Sequence, residues 1–231
     1  MHCMQDRTSE WFVPKFGSRK FRITIGILFL PYTGIVTCFA VWGSLVEDHS
    51  IHRTIAIALV YFLSLGVCAH LLDAVGGKTK PWGELPRLKI AILAIATLGI
   101  AFLIGGYFAF LDSPLLFPIG IAEGFFLFAY NLELFKGRFH TNFWTVISWG
   151  ILPVFAGSAI QTNSISIQTI ILAAVSAILT LALVRTSKKY KGLLYGNGDE
   201  QKIKAQVRIL QAISVGVILS TGIFIVILNF Q

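Results

Sequence analysis

The sequence predicts an all-α fold, a polytopic membrane helix bundle of seven transmembrane helices. Three observations carry that prediction. Apolar residues make up 55% of the 231 residues and charged residues only 13%, with a mean hydropathy of +0.76. A water-soluble domain of this length needs a charged surface that so few charges cannot make. Seven runs of about twenty apolar residues recur along the chain, and a helix rising about 1.5 Å per residue needs about 20 residues to cross the hydrocarbon. The third observation is the placement of charge: eighteen of the nineteen Lys and Arg residues fall at one end of a seven-span arrangement, with Arg53 alone at the other.

Taken in order, residues 1–21 form an N-terminal segment and residues 22–231 a single membrane domain. The segment alternates Trp11, Phe12, Phe16 and Phe21 with Lys15, Arg19 and Lys20, which suits an interfacial anchor at headgroup level. The first span, 22–46, is too long for a signal-peptide apolar region and ends without a small-residue cleavage pattern, so no cleavable signal is expected. The second span is 54–73, the third 88–111 and the fourth 114–134. The fifth, 143–161, is the weakest, because it holds Pro153 and several small polar residues. Proline is tolerated in membrane helices, and six spans with a re-entrant fifth segment is the alternative. The sixth is 167–184 and the seventh 206–230. Losing one span would split the basic residues between two faces, so charge parity favours seven.

The positive-inside rule then expects a cytoplasmic N-terminus and an outside C-terminus, in the plasma membrane. It also accounts for the net charge of +8 without a nucleic-acid partner. Cys3, Cys38 and Cys68 show no Cys-x-x-Cys spacing, hence neither a disulfide framework nor a zinc motif.

Polar groups are costly in a bilayer, so deep ones are candidate functional residues. At the end of the second span, His70 and Asp73 share a helix face. An Asp there suits Mg²⁺, which binds through one or two carboxylates together with substrate phosphates. Lys78, Lys80 and Arg87 suit neutralisation of a diphosphate; a boundary Asp meeting a nearby Lys is the structural alternative. In the fourth span Glu123 sits near mid-membrane with Tyr130 on the same face. Glu123 reads either as a functional group or as a protonated packing residue hydrogen-bonded to a neighbouring helix. Asn131, Glu133, Lys136, Arg138, His140 and Asn142 follow, more polar groups than topology requires. Between the sixth and seventh spans, Lys188, Lys189 and Lys191 suit anionic lipid heads or simply set orientation. Asp199 and Glu200 suit the first turn of the helix that becomes the seventh span.

The order of these features resembles the UbiA superfamily of intramembrane prenyltransferases over residues 55–159. His70-Leu-Leu-Asp73 and then Lys78-Thr-Lys-Pro-Trp-Gly-Glu-Leu-Pro86-Arg87 are similar to that family's Asp-rich motif and the basic, Pro-containing loop after it. Tyr130-Asn-Leu-Glu-Leu-Phe-Lys136 is similar to the Tyr and Lys-containing turn closing its fourth helix. Asn142 and Trp149-Gly-Ile-Leu-Pro153 are similar to its next helix. The resemblance implies a UbiA-like fold with a cavity open to the cytoplasmic leaflet, binding an isoprenoid diphosphate through Mg²⁺. It implies a transferase that moves the prenyl group to an aromatic or lipid acceptor. On this reading Asp73 and Tyr130 are the catalytic residues, and Asp73 with His70 holds the metal-diphosphate. Lys78, Lys80, Lys136 and Arg138 stabilise charge on the leaving diphosphate. Arg87, Glu123, Asn131, His140 and Asn142 complete the substrate-binding set.

The first motif here carries one Asp, a basic loop stands where the family has a second Asp-rich motif, and seven spans replace nine. These departures motivate a second expectation: a non-catalytic membrane scaffold, carrier or lipid-binding protein with a degenerate prenyltransferase site. A solute transporter, suggested by Glu123, finds no inverted repeat to support it.

Overall fold

A computed structural model describes residues 7–46, 49–76, 82–196 and 198–229, and these are helical throughout apart from short connections. Seven helices follow in order: α1 (Arg19–Ser44), α2 (Ile51–Gly76), α3 (Arg87–Leu111), α4 (Leu116–Asn131), α5 (Asn142–Thr162), α6 (Ile167–Tyr195) and α7 (Glu200–Asn229). All but α4 are long and apolar enough to cross a membrane. The chain is a multi-pass membrane protein. Lys78 and Lys80 lie outside the described residues.

The weak span is not the one the sequence singles out. Helix α5 runs 21 residues through Pro153, whereas α4 stops after 16, roughly 24 Å at 1.5 Å per residue. The physical reason lies at its C-terminus, short of the end of the apolar run. Asn131 turns its amide back to donate to the Leu127 carbonyl at 2.7 Å, and Glu133 then takes a left-handed φ of 49° that ends the helix. Helix α5 absorbs its proline through the π-turn Ile147–Ile151 just before it. Ser176 of α6 donates to the Gly150 carbonyl in that turn at 2.6 Å, the kind of side-chain rescue that lets a broken helix survive in lipid.

Two further irregularities shape the basic end. Helix α1 breaks at Phe29, which holds a left-handed φ of 46° ahead of Pro31, and Thr33 donates to the Leu28 carbonyl at 2.8 Å across the break. Helix α2 contains a π-turn at Phe62–Cys68, just before His70 and Asp73. At the centre, α1 crosses α5 with backbone against backbone. A Cβ at Gly43 would fall on the Val154 carbonyl, and one at Gly157 on the Ala40 carbonyl, so only glycine permits this approach.

At the opposite end, Arg53 stitches three connections together. Its guanidinium donates to Asp112 at 2.9 and 2.6 Å and to the Ile160 carbonyl at 2.6 Å. Hydrogen bonds from Arg53 and Ser113 hold the Asp112 carboxyl below its ordinary value. The one basic residue outside the topological pattern is thus a structural one.

Residues 7–17 do not stand apart as an anchor. They fold over the basic ends of α1, α2 and α6, burying Glu10 and Val13 and stacking Phe12 on Phe29 with ring centroids 4.0 Å apart. Arg22 of α1 holds the fold by donating to the Thr8 and Pro14 carbonyls, both at 2.8 Å. Asp199 accepts from the Gln201 amide at 2.8 Å, and Glu200 opens α7, as the charge pattern predicts.

Candidate functional site

The last turns of α2 carry His70 and Asp73 into the basic end, where the N-terminal segment meets them. Arg7 donates to Asp73 at 3.5 Å and to Glu10 at 2.7 Å, and Tyr195 of α6 donates to the same Glu10 oxygen at 3.2 Å. Glu10 is 1% exposed but Asp73 44%, so the weaker, longer bond of the pair is also the one nearer solvent. Phe12, Phe29 and Trp82 surround the Arg7 guanidinium at 5.9, 5.5 and 5.3 Å, within cation–π range. Burial works against the Arg7 charge, but Glu10 and then Asp73 outweigh it and hold its pKa above the ordinary value. Lys191 of α6 is electrostatically coupled to Arg7, Glu10 and Asp73.

Beneath this lid lies an aromatic box. The His70 ring is 5.2 Å from Phe29 and 5.6 Å from Trp149, and Tyr32 sits 4.0 and 6.4 Å from the same two rings. His70 Nε2 and the Tyr32 hydroxyl are both buried without a hydrogen-bond partner among the described residues; Ser187 faces the hydroxyl without closing a bond. Two orphaned polar atoms in one small volume are uncommon in a native interior.

Tyr130 reaches the same region from α4 and lies within electrostatic range of Asp73. Its ring stacks on His140, with centroids 4.1 Å apart and planes 14° from parallel. Asp73 and Tyr130 lie within electrostatic range of each other, His70 shares the last turns of α2 with Asp73, and His140 stacks on Tyr130. The remaining sequence candidates are placed otherwise. Asn131 is buried and spent on the Leu127 carbonyl. Asn142 accepts from Lys188. Arg87 is exposed on the first turn of α3, and Lys136 and Arg138 are exposed on a turn whose Glu133, Phe135, Lys136 and Gly137 all have positive φ.

A divalent cation at this site would rely on one or two carboxylates together with the phosphates of a ligand. Among the described residues no three His, Cys, Asp or Glu side chains gather. The two carboxylates present, Asp73 and Glu10, already face Arg7 and Lys191. Arg7 and Lys191 give the site cations that an oxyanion can meet.

Mid-membrane, Glu123 joins three helices. Ser148 of α5 donates to Oε2 at 2.9 Å, and the Tyr61 hydroxyl of α2 lies 3.2 Å from Oε1 and 3.3 Å from the Leu152 carbonyl. No cation is bonded to Glu123 among the described residues. The Tyr61 hydroxyl has one proton for these two oxygens and donates toward Glu123 Oε1 or the Leu152 carbonyl. With Glu123 ionised, an unpaired charge would stand in the bilayer. Glu123 also lines an apolar cavity of about 170 Å³ between α2, α3 and α4. Gly105, Gly106, Gly120 and Gly124 form much of its wall, and no atom would meet a Cβ at Gly106 or Gly120. Leu65 and Leu127 border both this cavity and a smaller cleft reaching Tyr130, Ser148 and Trp149.

Lys191 belongs to the basic run read as suiting anionic heads, whereas Arg7, Glu10, Tyr32, Tyr61 and Ser148 were not legible as site residues. Their partners lie far away in sequence, 66 residues in the case of Arg7 and Asp73, and no local spacing announces them. Comparison with known proteins finds no matching family model, no matching curated protein and no matching solved structure.

Proposed function

We propose that the chain binds a single-chain amphiphilic lipid with an anionic head, of the isoprenoid-diphosphate class, and does so without turning it over. The apolar cavity between α2, α3 and α4 takes the chain. The basic end, with Arg7, Lys191, His70 and Tyr130 around Asp73, takes the head. Leu65 and Leu127 border both this cavity and the cleft at Tyr130, on the side of the basic end. Positive-inside charge puts the head site on the cytoplasmic leaflet of the plasma membrane, with the N-terminus cytoplasmic and the C-terminus outside.

The observations that carry this reading are an apolar cavity among α2, α3 and α4 and, at the basic end, a cluster in which Arg7 meets two carboxylates. A non-catalytic binder needs no metal shell, and among the described residues no three His, Cys, Asp or Glu side chains gather to supply one from the protein alone. The test is to fill the cavity where side chains have room. Gly106→Leu combined with Gly120→Leu should abolish binding of geranylgeranyl diphosphate in native mass spectrometry while leaving the protein folded; undiminished binding would remove the cavity from the account.

Mg²⁺-dependent prenyl transfer to an aromatic or lipid acceptor is the second reading, favoured by the juxtaposition of Asp73 and Tyr130. It is the UbiA-like activity that the motifs resemble. Prenyl transfer by the purified protein, dependent on Mg²⁺, would displace the binding-only reading.

A further inference from the structure

The N-terminal segment covers the region where the reading above places the lipid head, and its ties there are of two kinds. Phe12 against Phe29 and the buried Val13 are apolar and local to the basic end of α1. The others reach α2 and α6: Arg7 to Asp73 and against Trp82, Glu10 to Tyr195, and Trp11, whose amide donates to the Tyr190 hydroxyl at 3.2 Å while its ring packs on the core cluster of Tyr190 and Leu210. Arg22 secures both ends of the segment through backbone carbonyls alone. Under it sit His70 Nε2 and the Tyr32 hydroxyl, buried and unpartnered. Such atoms are costly to leave unsatisfied, and the segment offers them nothing while it is closed.

We propose that residues 7–17 are a strap that closes the head-group site when no lipid is bound, latched by Arg7 on Asp73. An entering oxyanion displaces Asp73 from Arg7, keeps Arg7 and Lys191 as its cations, and supplies an acceptor for the Tyr32 hydroxyl and, in its Nε2–H tautomer, for His70. Arg7 is on this account a ligand-binding residue carried by a mobile element. The weak point is where the structure puts it: at 3.5 Å, with Asp73 44% exposed, the latch is the longest and wettest of the strap's ion pairs.

The inference rests on the lipid-binding reading for its purpose, but its first test needs no lipid. Diethyl pyrocarbonate carbethoxylates accessible neutral imidazoles, and the exposed His140 serves as an internal reference for the buried His70. In the full-length protein in nanodiscs, peptide mass spectrometry should find His140 modified and His70 protected. Arg22→Ala removes the two carbonyl ties without touching the bundle core, and Val13→Asp makes the buried underside of the strap untenable. In either variant His70 should react at least tenfold faster relative to His140. His70 reacting as fast as His140 in the unaltered protein overturns the strap, and so does continued protection in both variants. The second arm adds geranylgeranyl diphosphate to Arg22→Ala, which keeps Arg7. Binding at least tenfold tighter than in the unaltered protein supports a strap that competes with lipid, and equal binding overturns that competition. An open strap with no binding in any form leaves the strap standing and removes the lipid reading instead.

Discussion

Glu123 is the sharpest place to perturb the protein, because it is buried, ties three helices together and carries no ion pair among the described residues. Tyr61 has one hydroxyl proton and two oxygens within reach, Glu123 Oε1 at 3.2 Å and the Leu152 carbonyl at 3.3 Å. A neutral carboxyl satisfies both, and so does the amide of Glu123→Gln: its NH₂ replaces the O–H toward Tyr61 while its carbonyl accepts from Ser148. The glutamine variant should therefore lie within about 1 kcal/mol of the parent, the net worth of an ordinary hydrogen bond. Glu123→Ala leaves the buried Ser148 hydroxyl without its acceptor, worth about 1–3 kcal/mol. It also enlarges a cavity already near 170 Å³, and truncating a packed side chain adds a similar loss, so about 3 kcal/mol in all. For a chain of this size that is roughly 6–12 °C in the unfolding midpoint. Thermal unfolding in detergent, followed by intrinsic tryptophan fluorescence, distinguishes the two. A glutamine variant as unstable as the alanine variant would refute the neutral carboxyl and show that the charge itself is needed.

Other perturbations give equally definite outcomes. Gly157→Ala places a methyl on the Ala40 carbonyl and the Ser44 amide, both backbone, and should cost about 1–3 kcal/mol or more; Gly120→Ala, with open space around it, should cost far less in the same unfolding assay. Ser176→Ala strips the Gly150 carbonyl of its partner and should lose about 1 kcal/mol, in line with interhelical hydrogen bonds in membranes. Arg53→Ala should flatten the acid limb of the stability–pH curve. Because Arg53 and Ser113 depress the Asp112 carboxyl, its contribution is complete above the unfolded value of about 3.9 and disappears as pH falls through the lower folded value. An acid limb identical in the variant, measured by unfolding between pH 5 and 2, would show that this ion pair does not govern it.

How much was legible depends on range. Apolar run length and charge parity located seven helices, because the bilayer imposes both on the sequence directly. What they missed was local backbone chemistry. Pro153 looked like the flaw in the bundle, yet Ser176, 26 residues from the carbonyl it rescues, repairs it. Asn131 looked like a ligand group and instead ends α4 early by capping its own helix. The same divide runs through the site. His70, Asp73 and Tyr130 were readable because their residue types are out of place at the ends of apolar helices, and the fold puts Tyr130 within electrostatic range of Asp73. Arg7 was not, since a cation in an aromatic N-terminal segment has the composition of a membrane anchor; only the fold brings it beneath Trp82 and onto Asp73. Arg87, Lys136 and Arg138 carry the right charge for a diphosphate but are exposed; charge alone did not fix position.

The central claim, that this protein holds an amphiphilic lipid by head and chain together, is tested most directly by competition binding to the purified full-length protein. Geranylgeranyl diphosphate, geranylgeraniol and inorganic diphosphate would be compared by native mass spectrometry, each in Mg²⁺ and in EDTA. The account predicts that geranylgeranyl diphosphate binds in both buffers, and that neither the alcohol nor free diphosphate binds within tenfold of it, because each occupies only half of the site. Geranylgeraniol binding as tightly as the diphosphate would contradict the head site at Arg7 and Lys191. Binding seen only in Mg²⁺ would contradict the metal-free reading.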